Sequence, residues 1–218
     1  MIDWNMIDTV LLDMDGTLLD QHFDNFFWSE HLPLRYSEEN NISHDAAKAA
    51  LNKHIHNQVG SLQWYCLDHW SKLVNMNIPA LKREVSHKIK VRPYTEEFLQ
   101  KLKRQGKKLV LITNSHRAGL DLKLEVTEID KFLDLVISSH DYQTPKEEAD
   151  FWHQLQAQES FDPERTLFID DTPRVLASAQ RYGVKYLVCI NKPDSQMPAV
   201  KSEQFLDIEN FDEIMPDG

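Results

Sequence analysis

Cysteine is scarce in this 218-residue chain: there are two, Cys66 and Cys189, far apart in sequence. That count fits two reduced, partly buried thiols in a reducing compartment rather than a disulfide framework. Long apolar runs are also missing. No stretch approaches the roughly 18–20 residues that span a bilayer. The opening MIDWNMIDTV has no basic segment followed by an apolar one, so no secretory signal is expected either. Positive charge is in deficit, with 24 Lys and Arg against 35 Asp and Glu and a formal net charge of -11. Phosphate backbones need a basic surface, so this balance argues against nucleic acid as a partner. A small anionic substrate is still allowed, because a local positive site overrides the global field. Glycine is thin too, and between residues 20 and 92 only Gly60 occurs.

What is present is enough to build a core. Hydrophobic residues make up 41% of the chain and no low-complexity tract interrupts it. The length suits one domain, or one core domain with a smaller insertion. A cytoplasmic protein is expected, with no membrane contact and with oligomeric state left open.

Five short apolar runs have strand character: TVLLD (9–13), KLVLIT (108–113), LDLVIS (133–138), TLFID (166–170) and YLVCI (186–190). Most are continuous rather than alternating, the pattern of strands buried on both faces. Helical stretches follow the later ones. The stretch 95–106 has Thr95 as an expected N-cap and Gly106 as a C-cap, and 116–131 and 146–157 behave similarly. The stretch 173–183 has Pro173 near its start and Gly183 at its end. Strand alternating with helix predicts an α/β fold, a doubly wound parallel sheet. Between the first two strands, helices are expected at about 23–31, 44–58, 62–75 and 79–89, with Ser43 as an N-cap. A single crossover would not use so many residues. The expected organisation is therefore a core of 1–20 and 91–218 with a helical insertion at 21–90. Placed after the first strand, that insertion sits at the carboxyl edge of the sheet, where open α/β proteins bind ligands. The polar tail after 192 is expected on the surface, before a short last element near 207–214.

The chemistry-bearing residues fall at the carboxyl ends of these strands. LLDMDGTLL places Asp13 and Asp15 one residue apart, followed by Gly16 and Thr17; Thr113-Asn114-Ser115 closes the second strand; His140 and Lys146 follow the third; Asp170-Asp171 close the fourth. Each piece alone also reads as a turn, a helix cap or a surface lysine. In a parallel sheet, however, all four ends share one edge. Carboxylates meeting there repel unless a cation is bound, and oxygen donors without His or Cys suit Mg²⁺ before Zn²⁺. A lysine, a hydroxyl and backbone N–H groups nearby supply what a phosphate needs. Asp13, rigidly aimed by its strand, is the candidate nucleophile. Asp15, two residues on, is the candidate acid and base. Gly16 permits a sharp turn, and Thr17 is expected to hold it by bonding backbone groups.

In this order, DMDGTLLD, LITNS, the lysine of TPKEE and FIDDT resemble the four motifs of the haloacid dehalogenase (HAD) superfamily, most of whose members are phosphatases. The resemblance implies an aspartyl-phosphate on Asp13 and Mg²⁺ held by Asp13, Asp15 and Asp170, with Asp171 acting directly or through water. It implies phosphate binding by Thr113, Asn114 and Lys146, and it makes the insertion a C1-type cap. Members that cleave carbon–halogen bonds lack an aspartate at the Asp15 position, so phosphate chemistry is expected. FDNFFW (23–28), LQWYCLDHW (62–70), ERTLFIDD (164–171) and NKPDS (191–195) resemble more narrowly the bacterial GMP/IMP 5'-nucleotidase group. The expected function is Mg²⁺-dependent hydrolysis of a small phosphomonoester, a purine 5'-mononucleotide first. A phosphatase for phosphoglycolate or a sugar phosphate, a phosphomutase, and a HAD-fold binding protein without catalysis are the alternatives.

The insertion is rich in aromatic residues. Trp28 and Trp64 are candidates to stack on a purine, and Asp24 to meet a polar substrate group. The same aromatics at helical spacing also read as glue between helices. Among the histidines, His54 and His56 lie two apart on a helix and so point apart. His116 and His140 follow strands and are either near the cleft or simply satisfied nearby.

Overall fold

The protein is described by a computed structural model covering residues 2–55 and 60–217; His56 and the end of the 44–58 stretch lie outside the described residues. Six strands form one sheet: β1 (Thr9–Leu12), β2 (Lys108–Thr113), β3 (Leu135–Ser138), β4 (Thr166–Asp170), β5 (Tyr186–Ile190) and β6 (Leu206–Ile208). All pairings are parallel, in the order β3-β2-β1-β4-β5-β6. The chain starts in the middle, adds two strands on one side and then three on the other. That is the doubly wound arrangement, whose crevice lies where the winding reverses. The last element expected near 207–214 is β6 followed by a 3₁₀ turn, Phe211–Ile214.

The inserted helices are α1 (His22–Phe26), α2 (Leu32–Asn40), α3 (His44–Ile55), α4 (Leu62–Tyr65), α5 (Leu67–Val74) and α6 (Ile78–Glu84). After them come α7 (Thr95–Arg104), α8 (Arg117–Thr127), α9 (Ala149–Gln158) and α10 (Pro173–Tyr182). Ser43 accepts from the Ala46 N–H at 3.2 Å, as its expected capping role requires. Three local expectations are corrected. The stretch 23–31 does not end there: a π turn, Phe27–His31, joins α1 to α2, and the Leu32 N–H bonds the Phe27 carbonyl. That wide turn leaves room for the ring of Pro33, which would otherwise break the helix. The stretch 62–75 is two helices broken at an extended Cys66. There the Trp70 indole donates to the Trp64 carbonyl at 2.8 Å, satisfying a group that the break leaves free. Thr95 is not the cap of α7. Tyr94 occupies that position with a left-handed φ of 62°, and the Thr95 hydroxyl donates to the Leu18 carbonyl instead.

Successive strand residues point to opposite faces, and both faces are buried. Val10, Leu12, Leu111 and Ile169 join one apolar cluster with Phe98 and Leu102 of α7 and Leu120 of α8. Leu11, Val110, Ile112 and Phe168 join another with Phe151 and Trp152 of α9 and Leu176 of α10. This explains the continuous apolar runs of the sequence. Phe23, Phe27, Trp70 and Ile78 of the inserted helices belong to the first cluster, so the insertion is packed onto the core rather than tethered to it. No helix among the described residues is long and apolar enough to cross a membrane.

Candidate active site

Strand register brings the acidic residues together. Leu12 pairs with Ile169 on one side and Leu111 on the other, so the next residue, Asp13, lies between the ends of β4 and β2. Its N–H continues the ladder to the Ile169 carbonyl at 3.0 Å. Lys146 fills the space between the carboxylates. Its Nζ donates to Asp13 Oδ1 at 2.5 Å, to Asp170 Oδ2 at 2.7 Å and to the Ile112 carbonyl at 3.2 Å. All three side chains are buried. Burial raises the Asp13 carboxyl to about 6, with Asp170 adding to the rise and Lys146 opposing it. Burial also raises Asp171 well above the usual range, helped by Asp170 and Asp13. Lys146 is held firmly charged, because the two aspartates outweigh the cost of its burial. Asp170 has a second task, accepting from the Thr172 N–H at 2.8 Å just ahead of α10.

Asp15 belongs to a second buried network that the sequence did not announce. Lys123 of α8 donates to Asp15 Oδ1 at 2.6 Å and to Asp24 Oδ2 at 2.7 Å. Lys82 of α6 donates to Asp24 Oδ1 at 2.5 Å. Burial raises Asp15 to about 6, against Lys123 and with Asp24 and Asp13. Burial would raise Asp24 as well, but its two lysines win and hold it well below the usual carboxylate range. Lys82 is lowered by burial and by the like charge of Lys123, and its Nζ sits 4.7 Å and 4.6 Å from the ring centroids of Phe23 and Phe27. Asp24 therefore ties α1 to both lysines. Its position beside motif one was a signal; the lysines, far along the chain on helices, gave none.

The turn after β1 needs glycine at position 16. Gly16 has φ +87°, and a Cβ there would meet Asp171 Oδ2 at 2.7 Å and Pro193 Cβ at 2.8 Å. Thr17 does not play its expected part. Its Oγ1 is buried with no hydrogen-bond partner among the described residues. Backbone groups hold the turn instead: Leu18 and Leu19 N–H bond the Met14 carbonyl, and the Gly16 N–H bonds the Leu19 carbonyl.

On the β2 side, Thr113 Oγ1 accepts from the Ser115 N–H at 3.0 Å. Asn114 accepts from the Lys146 N–H at 3.0 Å and donates to Glu147 at 2.9 Å, so motif two fixes the lysine's backbone. Glu147 also accepts from the Tyr65 hydroxyl at 3.0 Å and from Arg174 at 3.2 Å, linking α4 to the core. Tyr65, Glu147 and Arg174 were not singled out by sequence.

These groups border one cavity of about 260 Å³. Asp13, Asp15, Asp24, Thr113, Asn114, Lys146, Asp170 and Asp171 all line it, as do Trp28, Trp64 and Trp70. The tryptophans also pack on each other, with Trp28 and Trp64 centroids 5.2 Å and 5.8 Å from Trp70. The substrate and glue readings of these aromatics hold together. The start of the polar tail is not a bare surface loop: Asp194 is buried and accepts from Asn25 at 2.7 Å. His116 and His140 do not line the cavity. Their rings meet edge to face at 5.0 Å beside it, and burial and His116 push the His140 imidazole down to about 4.

The oxygen donors fit Mg²⁺. Asp13, Asp170 and Asp171 offer hard carboxylates whose raised affinity for protons marks an excess of negative charge in a dry place. The resemblance implies that Asp15 meets a metal through its backbone carbonyl, and its carboxylate is engaged by Lys123.

A doubly wound sheet with four aspartates and a lysine at its carboxyl edge defines a class of hydrolases, and comparison with known proteins agrees. The sequence matches the model of the haloacid dehalogenase-like hydrolases over residues 10–189. The chain belongs to that family. Its relatives include the GMP/IMP nucleotidase YrfG of Escherichia coli (strain K12), 37% identical over 215 residues that cover 99% of this chain and 97% of the relative. A HAD phosphatase from Thermococcus onnurineus superposes with a TM-score of 0.81 at 23% identity, covering 95% of this chain and 96% of its own. YfnB of Bacillus subtilis, a HAD-hydrolase solved with bound magnesium, gives 0.64 at 19% identity, covering 95% and 96%. These last two likenesses concern the fold.

Proposed function

We propose that this protein is a Mg²⁺-dependent purine 5'-nucleotidase that splits a nucleoside monophosphate into nucleoside and phosphate. One observation carries the reading: the aspartates, Lys146 and three tryptophans line a single cavity. The acidic end suits a metal-bound phosphate and the indoles suit a purine. The named activity of the Escherichia coli relative supports the substrate class. Residues 21–90 serve as the cap and residues 1–20 and 91–218 as the core. The two free thiols, Cys66 and Cys189, favour a cytoplasmic location.

Asp13 attacks phosphorus and forms the aspartyl-phosphate while Asp15 protonates the departing nucleoside oxygen. Asp15 then takes a proton from water, which attacks the phosphorus and releases phosphate. A carboxyl poised at about 6 can serve in both steps near neutral pH. Thr113, whose oxygen already accepts from Ser115, has its hydroxyl hydrogen left to donate to phosphate; the Asn114 backbone takes another oxygen, and Lys146 takes the third by exchanging its longest bond, to the Ile112 carbonyl. Asp13, the Asp15 carbonyl and Asp170, with Asp171 directly or through water, would hold Mg²⁺, which would offset carboxylate repulsion and stabilise charge on the transferred group.

The test is a phosphomonoester panel with Mg²⁺. GMP and IMP should rank first, and Asp13→Asn should lose about a thousand-fold or more in kcat. Phosphoglycolate or a sugar phosphate winning by a wide margin would overturn the nucleotide assignment. A phosphoenzyme retained until a bisphosphate is added would indicate a mutase. Wild-type turnover by Asp13→Asn would remove the mechanism, and silence on every ester with tight binding of a protein would indicate a non-catalytic role.

A further inference from the structure

Beside the cavity, three side chains from distant parts of the chain meet. Cys66 lies at the break between α4 and α5, His116 caps α8 directly after β2, and His140 sits in the 3₁₀ turn after β3. One ligand atom from each lies within 4.8 Å of the other two. Two belong to the core and one to the cap.

The two imidazoles are held differently. His116 Nδ1 accepts from the Ala118 N–H at 3.4 Å, so Nε2 carries the ring hydrogen and faces Asp68 Oδ2 at 3.7 Å; ligation through Nε2 gives up that long backbone bond and moves the hydrogen to Nδ1. The His140 ring bonds the Asn114 backbone, while its Nε2 is buried with no hydrogen-bond partner among the described residues. A buried nitrogen without a partner is costly unless something occupies it. At His140, a backbone bond at one ring nitrogen and an open lone pair at the other is how ligating histidines are oriented. The 3₁₀ turn carrying His140 is itself fixed by a Ser138–Asp141 capping box.

We propose that Cys66, His116 and His140 form a second metal site, distinct from the Mg²⁺ site, that takes a borderline ion of the Zn²⁺ type and staples the cap to the core. Thiolate and imidazole donors select such an ion over Mg²⁺, just as the aspartates select the reverse. Bond lengths of about 2.1 Å to nitrogen and 2.3 Å to sulfur put tetrahedral ligands about 3.4–3.6 Å apart. The three donors need to draw in by about 1 Å, within reach of side-chain rotation. Asp68 or water completes the set.

The consequence follows from where the ligands sit. The cap already rests on the core here: a Cβ at Gly119 of α8 would come within 3.4 Å of Leu67 of α5. An ion joining Cys66 to the two core histidines makes that contact hard to open. If the cap opens to admit substrate and to release product, occupancy slows turnover without touching the reacting atoms. This kinetic part rests on the nucleotidase reading; the binding part does not.

Co²⁺ is the probe, added to the reduced full-length protein in excess Mg²⁺. A near-ultraviolet thiolate-to-cobalt band should appear at one equivalent. Cys66→Ser should abolish it, and His116→Gln and His140→Gln should each weaken Co²⁺ binding about ten-fold or more. Asp170→Asn, altered at the other site, should keep the band. Zn²⁺ at saturating Mg²⁺ should lower kcat of the wild type and spare Cys66→Ser, whose circular dichroism should match the wild type. No thiolate band at stoichiometric Co²⁺ would overturn the proposal. So would affinity unchanged in Cys66→Ser and His140→Gln, or loss of the band in a folded Asp170→Asn. A normal band without Zn²⁺ inhibition would refute the staple and leave the nucleotidase reading standing.

Discussion

Replacing Lys123 with methionine tests whether the buried lysine network governs the acid–base residue. Lys123 bonds Asp15 at 2.6 Å and Asp24 at 2.7 Å; the lysine is buried and the two carboxylates are half-buried. Methionine keeps the helix propensity and most of the volume. Removing one member of a buried ion pair costs about 3–5 kcal/mol when the partner is left charged. Here both carboxylates have an escape. Asp24 keeps Lys82. Asp15, already at about 6, can take a proton, and losing Lys123 can only raise it further. The native variant then holds a proton at pH 7 that its unfolded chain lacks. Stability consequently falls with pH by about 1.4 kcal/mol per unit. The wild type's own slope from Asp15 is about half as steep at pH 6, where its carboxyl at about 6 is half ionised, and has faded by about pH 7. The gap between the two proteins should be smallest near pH 6 and wider by up to about 2.3 kcal/mol at pH 8, the full figure applying when the variant's Asp15 stays protonated there. Urea unfolding at pH 6, 7 and 8 measures it directly. Adding Asp15→Asn to Lys123→Met should flatten the slope, since the proton acceptor is gone. A gap that is independent of pH, or below about 1 kcal/mol at pH 8, would refute the reasoning.

Other outcomes follow from neighbouring contacts. Gly16→Ala forces a side chain into a left-handed turn against Asp171; we expect about 1–3 kcal/mol of destabilisation by thermal melting and a larger loss in kcat, since the turn sets Asp15. Mg²⁺ should raise Tm more at pH 7.5 than at pH 5. With Asp13 at about 6, protons compete for the site at pH 5 and weaken apparent affinity roughly ten-fold, about 1.4 kcal/mol; equal shifts at both pH values would contradict this. Tyr65→Phe loses the bond to Glu147 and the one from Arg174. Steady-state kinetics should show altered KM with a stability loss of only about 1 kcal/mol.

The fold was legible because its strands are short, apolar and regularly separated by helices, and a sheet buried on both faces writes that pattern into sequence. What was misread was local and had a tertiary cause. The helix expected at 62–75 breaks at Cys66, where a distant indole satisfies the freed carbonyl of Trp64. The helix expected to stop at 31 runs on because a π turn accommodates Pro33. Thr95 looked like a cap, but its hydroxyl is drawn to the Leu18 carbonyl across the structure. Period and capping rules see neighbours in sequence only.

The same division separates the two halves of the site. Asp13, Asp15, Thr113 and Asp170 are at strand ends, where topology alone says they converge. Lys82 and Lys123 lie within amphipathic helices, and in sequence each looks like a solvated lysine. Only packing shows that both are buried and aimed at Asp24 and Asp15. This matters for how the cap communicates with the chemistry. Asp24 and Lys82 belong to the inserted helices, Asp15 and Lys123 to the core, and the four side chains form one chain of opposite charges. Lifting the cap would strip Lys123 of Asp24 and leave it with Asp15 alone, strengthening the hold on that carboxylate's ionised form. Lowering the cap divides Lys123 between two acids and leaves Asp15 freer to take the proton it must later donate. On the proposed mechanism, a closing cap and the acidity of Asp15 would be coupled through a single lysine, and the Lys123→Met slope with pH measures the core half of that coupling.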